Sequence, residues 1–254
     1  NLIHGFPNRP DIDRIDIDIK LLDFKRLLTD REKALQKSVL YNPHKVKAKI
    51  RFKNAIYKAR IRLKGDLHDH WNTKIRMSLR VTLKGKKTIN GYKSFSIQKP
   101  KSREFPYDHI FQKLIRNIGN LSSTHTYMHV YVNGKNWGIM DIEEHVSKEF
   151  LEKQNVKNSL VVKLSGEDSF YYARTAKEKY KNYRINDPLL HLKAFSAKKY
   201  LKEPIHRQYL SYLVKHNVTP KTHELFDINS FSKAIISSMI WNETHTLASH
   251  NTRF

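Results

Sequence analysis

Three short stretches of this chain gather side chains that can move protons, ligate cations or hold anions. The first is Lys64-Gly65-Asp66-Leu67-His68-Asp69-His70-Trp71. Two histidines one residue apart, with two aspartates, can ligate a metal. The same residues in a turn serve equally as a hydrogen-bonding loop. The second stretch is Glu143-Glu144-His145, at the expected start of a helix, where carboxylates meet the positive end of the helix dipole. The sharper alternative is an ion pair between Glu144 and a lysine of a neighbouring sheet, Lys74 or Lys163. In kinase-type sites such a pair steadies a phosphate-binding lysine. The third stretch runs from Trp241 to Asn251, and its polar density after an apolar helix predicts a site loop. The sequence contains no Walker A loop and no GxGxxG, GxSxG or HExxH motif.

Hydrophobic periodicity supplies the elements that must position these groups. Val46, Ala48, Ile50 and Phe52 alternate with Lys45, Lys47, Lys49 and Arg51. Ala59, Ile61 and Leu63 alternate with Arg60, Arg62 and Lys64, and Leu79, Val81 and Leu83 with Arg80, Thr82 and Lys84. Period-two alternation predicts half-buried antiparallel strands with one face in the core and the other cationic. Like charges on neighbouring strands repel. A face of them therefore implies an anionic ligand: nucleotide, polyphosphate, acidic glycan or nucleic acid. A strand at 15–19 and a helix over 21–35 precede this region. A strand at 92–98, a helix at 107–118 and a hairpin around Asn133-Gly134 follow it, that dipeptide being favoured in type I′ turns. The spacing then predicts a helix at 147–153, a strand at 160–164, a Tyr- and Lys-rich surface excursion over 167–187, and helices at 189–201, 205–216 and 228–241. Asp227 is the expected N-cap of the last. The fold class expected is α+β, with an antiparallel-sheet-rich N-terminal part and a helical C-terminal part. Residues 1–44 lead into the sheet, 45–165 form the sheet-rich lobe and 166–254 a helical lobe.

Composition narrows the function. The 254 residues carry a formal net charge of +24. The excess is concentrated: residues 45–103 hold 19 basic side chains against only Asp66 and Asp69. With 39% hydrophobic residues and only 8 Gly and 8 Pro, the chain can build a core and is not of the disordered or collagen-like kind. The absence of Cys excludes disulfides, thiolate zinc sites and Cys nucleophiles. No apolar run approaches the ~20 residues of a membrane helix. Nucleic acid is disfavoured as a partner, because the aromatic residues form no stacking platform and no helix-turn-helix or zinc-finger signature is present. The chain opens at Asn1 without a signal pattern and stops just after the motif-like THTLASHNTRF. It reads as an interior piece of a longer protein.

Taken in order, ARIRLKGDLHDHW (59–71), KIRMSLRV (74–81), FSIQKPKSRE (95–104), VYVNGKNWGIMDIEEHVSKEFLE (130–152), SLVVKL (159–164) and HTLASHNTRF (245–254) resemble the CotH family, the spore-coat protein H kinase-like proteins. The RLKGDxxDHW string looks like a bacterial branch of it. The resemblance implies an atypical protein-kinase-like fold, incomplete here at its C-terminus. It also implies transfer of phosphoryl groups from ATP, with Mg²⁺ or Mn²⁺, to Ser or Thr of a protein. Lys74 matches the family's phosphate-meeting lysine best, Glu144 the glutamate after the Asn-Gly hairpin, and Asn251 a metal-binding asparagine. Arg62, Arg80 and Lys163 join Lys74 and Glu144 as cofactor-binding candidates. Thr246 stands where the family has an Asp, so Glu243 or His245 would substitute. A later metal-binding Asp motif is expected beyond Phe254, so catalysis is expected of the longer parent protein. Oxygen donors such as Asn251 or Glu243 suit Mg²⁺, and His245 suits a proton acceptor. The resemblance favours an exported or cell-surface location. A second reading keeps the basic sheet without catalysis, as a surface or assembly protein binding an acidic glycan or polyphosphate.

Overall fold

The alternation over 46–63 is realised residue by residue in a computed structural model, which describes residues 12–157, 159–165, 171, 174–175, 191–194, 202–215, 226–242 and 247. Strand β2 (Val46–Phe52) buries Val46, Ala48, Ile50 and Phe52 and exposes Lys47, Lys49 and Arg51. It turns at Lys53-Asn54 into β3 (Ala55–Leu63), antiparallel to it. Next to β3 lie β4 (Leu79–Leu83) and β5 (Ser94–Gln98), also antiparallel. Beyond β5 comes the hairpin of β6 (His125–Val132) and β7 (Lys135–Glu144), with β7 bonded to β5. Asn133 and Gly134 at its tip have φ of 49° and 78°, the double positive φ of a type I′ turn.

Strand β1 (Arg14–Ile19) alters the expected sheet. It pairs antiparallel with β2 and parallel with β6, so seven strands close into a barrel in the order β1-β2-β3-β4-β5-β7-β6. The sequence reading expected an antiparallel-sheet-rich part, and six of the seven pairings are antiparallel. With Ile15, Ile17 and Ile19 buried in the interior, β1 bonds β2 along one edge and β6, in a parallel seam, along the other. The hairpin tip fastens that seam: Ile19 N donates to Asn133 Oδ1 at 2.7 Å and Asn133 N to the Ile17 carbonyl at 2.9 Å. Closure removes the free edges that an open sheet would present. Inward residues of all seven strands form one buried cluster, as in other small barrels whose interior is filled by side chains.

Helix α1 (Leu21–Lys37) adds Leu27 and Ala34 to that cluster and lies against β2 and β3. Helices α2 (Tyr107–Asn117) and α3 (Lys148–Lys153) follow, the latter capped by Ser147 Oγ accepting from Phe150 N. Strands β8 (Val162–Ser165) and β9 (His191–Ala194) form a separate antiparallel pair. Helix α4 (Pro204–Lys215) precedes α5 (Ile228–Ile240), whose first amides, Asn229 N and Ser230 N, donate to the Asp227 side chain. A link joins α5 to the segment after α2: Asn120 Nδ2 donates to the Ser230 carbonyl at 2.9 Å. Residues 191–194, expected to be helical, are a strand. Their apolar positions Leu192 and Ala194 fit period two as well as a helix face, and register with Val162–Ser165 decides the outcome. Among the described residues no helix is long and apolar enough to cross a membrane.

Candidate functional site

Strand parity sorts the barrel's side chains. Ile61 and Leu63 point inward, so Arg62 and Lys64 stand on the outer face; Met140 and Ile142 point inward, so Asp141 and Glu143 do the same. Register then lines these groups up. Arg62 lies opposite Arg80, Arg80 opposite Ser96, Ser96 opposite Glu143 and Glu143 opposite His125, a polar row crossing five strands. A second row places Gln98 opposite Asp141 and Asp141 opposite Tyr127, with Lys64 N bonded to the Ser78 carbonyl beside it.

Glu143 is the hub. Its Oε2 accepts from Lys64 Nζ at 2.9 Å, Gln98 Nε2 at 2.8 Å and Arg103 at 2.7 Å. Lys64 also donates to Gln98 Oε1 at 2.8 Å. Arg103 arrives from a 3-10 turn (Pro100–Arg103) that follows β5 and leads into α2. Burial alone would raise the Glu143 carboxyl, but Arg103 and Lys64 outweigh it and hold that group well below the usual carboxylate range. Burial lowers Lys64 to about 7, against the opposing pull of Glu143. Burial thus works against the charge on this lysine, and Glu143 works for it. Arg103 is raised further, chiefly by Glu143.

The other end of the row is a histidine clamp. His125 Nδ1 lies 3.0 Å from Asp141 Oδ1, and its Nε2 lies 3.9 Å from Asp108 at the start of α2. Burial would lower His125, but the hydrogen bond and charge of Asp141 prevail and raise it. His125 Nε2 and Ser96 Oγ are buried without a hydrogen-bond partner, so the row retains unused polar capacity.

The Gly65–Trp71 loop is built for position. Gly65 has φ +90°, and a Cβ there would lie 2.0 Å from His70 Cδ2. Trp71 is fully buried and donates from Nε1 to the Gly65 carbonyl at 3.0 Å. Arg31 of α1 grips the Trp71 and Asn72 carbonyls at 2.8 and 2.6 Å. His70 Nδ1 sits 2.9 Å from Ser78 Oγ, and burial lowers its pKa to about 4. His70 is thus a neutral partner of Ser78, and this loop directs the chain from Lys64 into β4. Among the described residues no group of three His, Asp or Glu side chains could hold a metal ion.

The residues expected from sequence fall in different places. Arg62 and Arg80 lie in the row. Lys74 is exposed on a loop before β4, which is fastened at the rim by Lys99 Nζ donating to Asn72 Oδ1 at 2.9 Å and by Arg76 donating to the Ile139 carbonyl at 3.1 Å. Lys163 lies on β8 opposite Lys193. Glu144 is buried but takes a different partner from the two considered: Lys153 of α3, at 2.7 Å, with Thr124 Oγ1 donating at 2.6 Å. Parity explains this, because Glu144 shares the inward phase of Ile142 and registers with Phe95, away from the outer-face lysines. Glu243, His245 and Asn251 lie outside the described residues.

Sequence reasoning missed Lys64, Gln98, Arg103, Asp141, Glu143 and His125 as members of one site. The signal was the phase of alternation: Asp141 and Glu143 share the outward phase on β7 that Arg62 and Lys64 share along β3. The family-like strings converge here. ARIRLKGDLHDHW contributes Arg62 and Lys64, KIRMSLRV Arg80, FSIQKPKSRE Ser96, Gln98 and Arg103, and the string over 130–152 Asp141 and Glu143. No curated protein matches the chain. A family model described as CotH kinase protein matches residues 61–253, which spans every residue of the row and most of the chain. The chain therefore belongs to the CotH kinase family.

Proposed function

We propose that this chain is the phosphotransferase part of a CotH-type protein kinase, using ATP with Mg²⁺ or Mn²⁺ to phosphorylate Ser or Thr of a protein. The observation that carries this reading is the convergence of four separate sequence strings on one half-buried row. In that row cations outnumber the carboxylate they surround. Phosphoryl transfer depends on positioning and on charge stabilisation rather than on covalent chemistry by the protein. The row has the composition for both, with Arg62, Arg80 and Lys64 presenting fixed donors to phosphate oxygens. Glu143 positions Lys64 and Arg103 and prevents their mutual repulsion from spreading them. Lys74, exposed on the rim loop, is proposed as a further cation. Glu144 holds α3 to the barrel through Lys153 and acts by positioning. Asn251 and Glu243 are the proposed oxygen donors to the divalent cation, and His245 the proposed proton acceptor. The cation, when bound, neutralises charge on the phosphates.

The test is nucleotide binding and transfer with Lys64→Met. The expected result is ATP binding that requires Mg²⁺ or Mn²⁺ in the parent sequence and a loss of about tenfold or more in the variant, the weight of one charge-assisted contact. ATP affinity unchanged by the substitution would remove Lys64 and the row from the reading.

A further inference from the structure

Outside the row, the same barrel face carries a second group of cations with no role in the chemistry above. Lys47 registers with Arg60 and Lys49 with Lys58, and Lys84 N bonds the Lys58 carbonyl at 2.8 Å, extending the group onto the next strand. Lys47, Lys49, Lys58 and Lys84 are exposed. The outward carboxylates of β1, of which Asp18 lies opposite Lys49, are engaged by arginines: Asp16 by Arg14 at 2.7 Å and Asp18 by Arg51 at 2.8 Å. These four lysines have no ion-pair partner among the described residues. Cations placed opposite one another across strands repel, and a bound polyanion relieves that repulsion.

We propose that the outer face of β2 and β3 docks an acidic segment of a polypeptide substrate. Geometry favours a polypeptide. Along each strand the cations recur at every second residue, about 6.8 Å, and across strands at about 4.8 Å. An extended peptide with acidic residues at alternate positions has the same repeat. Ile56, 63% exposed on the same face, offers an apolar contact that a polyphosphate cannot use. None of Lys47, Lys49, Ile56, Lys58, Arg60 and Lys84 is aromatic, so nothing here stacks bases. Strand β3 carries this surface directly into the row, since Lys58 and Lys64 are six residues apart, about 20 Å along a strand. If the row transfers phosphoryl groups, as proposed above, the acidic segment lies about six extended residues from the acceptor Ser or Thr. Docking itself does not depend on that reading.

The experiment is fluorescence anisotropy of a short labelled peptide with Glu at alternate positions, titrated with the whole chain in the absence of nucleotide. Binding is expected to weaken about tenfold in Lys49→Glu/Lys58→Glu, since two attractions become repulsions. Lys135→Glu at the hairpin tip should bind as the parent does. Lys64→Met should keep peptide binding even where it abolishes transfer, which separates failure of docking from failure of the kinase reading. Circular dichroism confirms that each variant is folded. Equal binding by the double reversal overturns the proposal. So does single-stranded DNA or polyphosphate displacing the peptide with higher affinity per charge.

Discussion

Strand β3 carries Lys58 and Arg60 towards one end and Arg62 towards the other, with Lys64 directly after it in the same alternation, yet its two ends meet different surroundings. At the first end the neighbours are lysines of β2 and solvent. At the second, β4, β5 and β7 bring Arg80, Gln98 and Glu143 alongside, and the 3-10 turn before α2 lays Arg103 over them. The outward phase of a strand is thus not a single environment. Where later strands return a carboxylate to the same face, cations become a structured, half-buried group with shifted proton affinities. Where none returns, they stay as bare surface charge, suited to long-range attraction rather than to chemistry.

This contrast is exposed most strongly by removing the hub. Glu143→Leu leaves Lys64 and Arg103 facing each other without their carboxylate, and stability should fall by about 3 kcal/mol, at the low end of the range for breaking a buried pair because Lys64 can shed its proton. Lys49→Gln on the bare end should change stability by less than about 0.5 kcal/mol. Urea unfolding of both variants measures the difference, and equal effects would erase the distinction between the two ends.

Gly65→Ala tests the loop that follows the structured end. The residue has φ +90° and a Cβ would strike the His70 ring, so a loss of about 2 kcal/mol is expected in the same unfolding measurement. A smaller effect, in pH, comes from the clamp. His125 is raised in the folded state, so its stabilisation is fully present below its unfolded value and disappears as pH climbs through the folded value. The stability gap between the parent and His125→Asn should therefore shrink as pH rises, read from denaturation midpoints across a pH series. A gap that widens with pH would contradict the clamp.

Much of the fold follows directly from local pattern. The alternation in β2 and β3, the Asn133-Gly134 hairpin and the Asp227 cap are each set by residues adjacent in sequence. The barrel was not legible, because its closure depends on β1 meeting β6 more than a hundred residues later. Residues 191–194 were misread because a short stretch with apolar positions two apart fits either period. The site was half legible. Arg62 and Arg80 stood out as strand cations, but choosing between Glu143 and Glu144 requires the phase of β7. A β-bulge opposite Val130/Tyr131 sits early in that strand, which obscures counting from the hairpin.

The most direct measurement is ATP affinity as a function of pH, with the divalent cation held constant, for the parent and for Lys64→Arg. With Lys64 lowered to about 7, parent affinity should decline as pH rises from about 6 to 8, because the lysine loses its charge. Arginine stays protonated over that range, so the variant's affinity should remain flat. Identical pH profiles for the two proteins would contradict the assignment of the phosphate contact to Lys64.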